Sequence, residues 1–313
     1  MTVSGSFIDP ATVMRIKNLQ MRAAVVVEGF FAGLHRSPFH GFSVEFSEYR
    51  AYTPGDDPRY LDWKLYARSD RYCIKRFEDE TNLLCYLVMD MSRSMSFGSS
   101  GYTKSDYART LAASLAYFLF LQRDAVGLLT FDEKVADYLP PRHRPGHLRR
   151  LMAALDRETA GRSTDIARPL EQIAESVRKR GLVILISDLL APSEGLRSKL
   201  GSLRSRGHDV VVLRVLDPAE LEFTFSAPGM FEDVETGRQL YIDPGAARAE
   251  YQRRFAEHSA ALKRTCLDLG IEFAQLTIDQ PLELALFDLL QSRLQRARRR
   301  VRRVAPRRRR AAI

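Results

Sequence analysis

Asp90-Met91-Ser92-Arg93-Ser94 sets a carboxylate and two hydroxyls at alternate positions, directly after the apolar run LLCYLVM. All three are hard oxygen donors. A loop that turns after Asp90 aims them at one point, and such a set suits a magnesium-type ion. Two further segments offer the same kind of donor. LVILIS runs into Asp188, and Gly161-Arg162-Ser163-Thr164-Asp165 carries a hydroxyl in a turn before an expected helix. The competing explanation is helix capping, because Asp and Ser after a strand commonly cap the helix that follows.

Other arrangements are weaker. The segment from Gly98 to Ser105 has glycines and a lysine, but not the spacing of a phosphate loop. His143 and His147 can share a helix face without an evident third ligand, and His35 and His40 read as loop residues. No Gly-x-Ser-x-Gly elbow is present, and no serine sits in a triad context. Oxygen ligands without a general base or nucleophile point to binding rather than catalysis. A metal-assisted hydrolase needs a base beside a metal-activated water, and the sequence names none.

The donors need elements that end at one edge. LLCYLVMD, AVGLLTFDE (125–133), the shorter KVADYLPP, LVILISDLL (182–190), DVVVLRVLD (209–217) and IEFAQLTID (271–279) read as strands, and the most apolar of them as strands buried on both faces. Helical stretches are expected at 105–123, 146–157, 165–180, 193–206, 246–268 and from Pro281. Alternation of this kind predicts right-handed crossovers and a doubly wound, mostly parallel α/β sheet of about six strands. Residues 222–243 break the rhythm and read as an inserted hairpin. Residues 1–80 differ in texture: a helix over 10–28, strand-like alternation at 41–52, then a mixture of aromatic and charged residues. The expected division is an extension over 1–80, the sheet domain over 81–292 and a tail over 293–313.

Composition narrows the class. With 313 residues, 45% of them hydrophobic, the chain can bury a core without staples. Cys73, Cys85 and Cys266 are odd in number and lack metal-site spacing, so reduced thiols are expected. The first 20 residues lack the apolar core of a signal peptide, and LAASLAYFLFL (111–121) is too short to span a bilayer. A cytoplasmic location and no transmembrane segment are the resulting expectations. The net charge of +9 resides in the tail: setting aside eleven arginines between Arg293 and Arg310 leaves −2. Nucleic-acid or anionic-surface binding through that tail is the alternative function.

Asp90, Ser92, Ser94, Thr164 and Asp188 together resemble the metal-ion-dependent adhesion site of von Willebrand factor A domains. That resemblance implies one Mg²⁺ or Mn²⁺, hydroxyl ligation by Ser92, Ser94 and Thr164, and aspartates acting largely through water. It also implies an open position for a partner's acidic side chain. Arg162 departs from the family's small residues before the threonine and is a candidate partner contact. Upstream, Tyr52-Thr53-Pro54-Gly55-Asp56-Asp57-Pro58-Arg59, Leu61-Asp62-Trp63-Lys64 and Lys75-Arg76-Phe77-Glu78-Asp79-Glu80 resemble the bacterial family called domain of unknown function 58. Members are typically encoded beside MoxR-type AAA+ ATPases. The resemblance implies a non-enzymatic adaptor for such an ATPase or its client, with Arg59 and Lys64 as candidate docking residues.

Overall fold

The computed structural model describes residues 7–36, 49–51, 73–75, 83–157, 167–176, 179–190, 195–233 and 237–290. In chain order the strands are β1 (Tyr49–Ala51), β2 (Cys73–Lys75), β3 (Leu84–Asp90), β4 (Ala125–Phe131), β5 (Val135–Arg142), β6 (Leu182–Ser187), β7 (Asp209–Leu216), β8 (Gly229–Glu232), β9 (Gln239–Ile242) and β10 (Glu272–Thr277). The helices are α1 (Pro10–Met14), α2 (Leu19–Arg36), α3 (Lys104–Leu121), α4 (His147–Leu155), α5 (Ala167–Ser176), α6 (Leu196–Ser205), α7 (Pro218–Glu222), α8 (Pro244–Asp268) and a final one, α9, over 282–290.

Six strands form one sheet in the order β10-β7-β6-β3-β4-β5. Every pairing is parallel except β4 with β5. The doubly wound, mostly parallel sheet expected of a von Willebrand factor A-like chain is therefore present. The short strand expected at KVADYLPP is present as β5, and its antiparallel direction is the new finding. It follows from the three residues between β4 and β5, too few for the crossover that a parallel neighbour requires.

Strand β3 explains why the sheet is covered twice. Cys85, Leu87 and Met89 enter one apolar cluster, with Val26 and Phe30 of α2, Leu111 and Leu115 of α3, and Leu151 of α4. Tyr86 and Val88 enter the opposite cluster, with Ile173 of α5, Leu200 of α6 and Leu262 of α8. Alternate side chains of one strand thus feed both faces. The apolar run at 111–121 lies in α3 and is buried at most of its positions, though Leu121 is exposed; α2 packs against this helix with Phe30 edge-on to Phe118 at 5.6 Å. Helix α2 falls within the N-terminal extension, yet its buried face belongs to the main core. The segment around 222–243 holds the antiparallel pair β8–β9, preceded by the short α7. Among the described residues, no helix is long and apolar enough to cross a membrane. Cys85 and Cys266 are buried.

Candidate metal site

In order of sequence, the six strands lie 6-5-4-1-2-3 across the sheet. The order in which successive strands are added reverses between β3 and β6, parallel neighbours although about 90 residues separate them. Open α/β sheets bind ligands outside the carboxyl ends of the strands at such a switch point. Asp90 is the last residue of β3, in register with Phe131 of β4, and Asp188 follows the last residue of β6.

Asp90 is fully buried. Its Oδ1 accepts the Ser92 N–H at 2.9 Å, and its Oδ2 accepts the Ser187 hydroxyl at 2.6 Å. Both donors are neutral. Burial, joined by the charge of Asp188, raises the carboxyl to about 7 against these hydrogen bonds. Asp90 is thus a carboxylate in want of a cation.

Ser92 and Ser94 bring their hydroxyl oxygens to 3.0 Å from one another. Two oxygens at right angles about a magnesium ion, each about 2.0–2.1 Å from it, lie about 2.8–3.0 Å apart. The hydroxyl pair therefore has the spacing of adjacent ligands. Helix capping does not use it: Ser92 precedes the short 3-10 turn Arg93–Ser96 without a side-chain cap bond. The cap of α3 is Thr103, in a reciprocal pair with Asp106. A fully buried carboxyl and two converging hydroxyls offer the oxygen donors that a hard divalent cation takes.

Asp188 has a partner that the sequence did not announce. Lys104, the first residue of α3, is fully buried, and its ammonium lies 2.8 Å from Asp188 Oδ2 and 2.6 Å from Glu220 Oε1. Burial works against its charge, but attraction and hydrogen bonds from the two carboxylates outweigh this and raise its pKa. Arg214 of β7, also buried, donates to the Asp188 carbonyl at 2.9 Å and to Ser259 at 2.7 Å, and lies over the Phe255 ring. Asp217 accepts from the backbone and hydroxyl of Ser99 at 2.7 and 2.6 Å, tying the loop after β3 to the start of α7. This edge thus gathers four carboxylates (Asp90, Asp188, Asp217 and Glu220) and two cationic groups, leaving two formal negative charges.

The structure brings Asp90, Ser92, Ser94 and Asp188 to one edge. Thr164, Arg162, Arg59, Lys64 and Trp63 lie outside the described residues, as do His40 and the tail. Sequence reasoning missed Ser187, Lys104, Arg214 and Glu220. One signal was available: Arg214 interrupts the otherwise apolar DVVVLRVL, and a charge inside a doubly covered strand must have a buried partner. The histidines do other work. His147 Nε2 meets the Val126 carbonyl at 2.8 Å, and His143 packs on Phe120. Among the described residues, no three His, Cys, Asp or Glu side chains form a metal-holding group, so any metal here relies on hydroxyls.

The profile described as "Protein of unknown function DUF58" matches residues 48–261. An uncharacterized protein of Mycobacterium tuberculosis, Rv1480, is 30% identical over 281 residues, covering 88% of each chain. Among solved structures, BatB from Bacteroides thetaiotaomicron is similar at 15% identity with a TM-score of 0.46, covering 67% of this chain and 98% of BatB. The SpRpn10 VWA domain is similar at 12% identity with a TM-score of 0.38, covering 64% of this chain and 92% of that domain.

Proposed function

This chain belongs to the DUF58 family of proteins of unknown function, and from that premise we propose that it is a non-enzymatic, metal-dependent protein-interaction module. The observation that carries the reading is the pair of hydroxyls, Ser92 and Ser94, at 3.0 Å beside the buried, cation-seeking Asp90. Ser92 and Ser94, with Thr164, would hold one Mg²⁺ or Mn²⁺, and Asp90 and Asp188 would support it. The bound ion would act as a Lewis-acidic docking point. A cation held mainly by neutral hydroxyls keeps excess positive charge, so a carboxylate from a partner is attracted to it. The residues around the site are already committed to one another: Ser187 to Asp90, Lys104 to Asp188 and Glu220. Among the described residues, none of these is left as a free general base, which favours docking over hydrolysis.

The partner we propose is a MoxR-type AAA+ ATPase, or a client that it remodels, in the cytoplasm. The support is the family resemblance and the acidic-ligand chemistry of the site. The test measures Mn²⁺ binding by calorimetry, and binding of the neighbouring ATPase in Mg²⁺ and in EDTA. Wild type should bind both. Asp90→Ala, and the double variant Ser92→Ala/Ser94→Ala, should lose both while keeping the wild-type circular dichroism. Undiminished ATPase binding in EDTA refutes the metal bridge, and equal Mn²⁺ affinity in wild type and Asp90→Ala refutes the site.

A further inference from the structure

Lys104 has the character of an internal cation. A buried ammonium is costly unless paired, and here it is paired twice, 2.8 Å from Asp188 and 2.6 Å from Glu220. The two carboxylates come from different elements, the end of β6 and helix α7, and neither is near Lys104 in sequence. The pairing is rigidly framed. Lys104 begins a helix whose cap, Thr103, is locked by Asp106. Glu220 Oε2 accepts the Asp217 N–H at 3.1 Å, and Asp217 is bonded to Ser99 of the loop that carries Ser92 and Ser94. The carboxylate most available to help a metal at this edge, Asp188, therefore already serves a lysine.

We propose that Lys104 is a built-in competing cation of the metal site: anchored by Glu220, it holds Asp188 out of direct coordination and keeps metal affinity low, so that a partner's carboxylate is needed for tight occupancy. This rests on the metal reading of Asp90, Ser92 and Ser94. The physical argument is charge sharing. The ammonium repels a nearby divalent ion through a medium of low effective dielectric, and it removes one oxygen lone-pair set from the donor pool. A partner carboxylate restores the missing negative charge. Metal and partner then raise each other's affinity by the same factor, as linkage demands.

The experiment uses the full chain and Mn²⁺ as probe, read by titration calorimetry and by the melting temperature with and without the ion. The variants are Lys104→Met and Lys104→Met/Glu220→Gln, with Asp90→Ala as the control for the site. Removing the ammonium should tighten Mn²⁺ on the order of tenfold or more. It should also lower the melting temperature in EDTA and enlarge its recovery on adding Mn²⁺. A merely structural lysine would lower stability without tightening the metal. Wild-type binding that is lost in Asp90→Ala but unchanged or weakened in both lysine variants overturns this inference alone. No Mn²⁺ binding by any of the proteins, or equal binding in Asp90→Ala, overturns the metal reading and this inference with it. If Lys104→Met folds only with Mn²⁺ present, the ion is replacing the ammonium, as expected. Failure of both lysine variants to fold even with Mn²⁺ overturns the inference.

Discussion

Replacing Asp90 by asparagine should stabilise the metal-free protein at pH 8, which is the reverse of what loss of a buried hydrogen-bonded residue ordinarily does. Burial and the charge of Asp188 raise the Asp90 carboxyl from 3.8 to about 7. The penalty on its charged form is then about 4 kcal/mol. Asparagine removes the charge but keeps only one acceptor. Its oxygen can still accept the Ser92 N–H, while its amide faces Ser187 and obliges that hydroxyl, now at 2.6 Å as a donor, to turn. One compromised hydrogen bond costs about 1–2 kcal/mol. The net gain is about 2–3 kcal/mol, or roughly 3–5 °C in melting temperature for a chain of this size. The pH dependence has a definite sign. Between 3.8 and about 7 the folded wild type binds more protons than the unfolded chain, so its stability falls as pH rises through that window. Asparagine lacks this loss, and the gap between the two proteins should open from pH 5 to pH 8. Urea unfolding in EDTA at both pH values measures it. Mn²⁺ at about 100 times its Kd should restore about 2.7 kcal/mol to wild type and nothing to the variant. A wild type more stable than Asp90→Asn at pH 8 in EDTA, or a gap that does not change with pH, refutes the account of Asp90 as a carboxylate in want of a cation.

Two further outcomes test the frame and the tail. A Cβ at Gly127, in the middle of β4, would stand 2.8 Å from the Leu139 carbonyl oxygen and from Pro141 of β5, so Gly127→Ala should cost on the order of 1–3 kcal/mol, read as a lower melting temperature. Deleting residues 293–313 removes eleven arginines; binding to duplex DNA or anionic vesicles should weaken, with the largest difference at low salt, while the melting temperature of the remainder stays within about 2 °C. Full retention of nucleic-acid affinity would eliminate the tail as its source.

The order of strands and helices was legible in the sequence because it is written in local periods. LLCYLVM and LVILI are apolar throughout, the pattern of strands covered on both faces, and an aspartate follows each within two residues, at the carboxyl edge where open sheets bind ligands. The Asp-x-Ser-x-Ser spacing likewise disclosed the hydroxyl pair, since two residues with one between them are held together by the loop itself. What the chain does not write locally is who stands beside whom. That β3 neighbours β6 is set by long-range crossovers, and it is this adjacency that charges Asp90 against Asp188. That α2 joins the main core follows from the surface α3 leaves open, not from any pattern within residues 19–36. Lys104 read as part of a glycine-flanked lead into a helix; its two carboxylate partners lie 84 and 116 residues away. Ion pairs of that kind carry no periodicity, because a side chain's reach is a matter of space. The sequence could name the oxygen donors of this site, but only the tertiary structure decided that one of them is already held by a lysine.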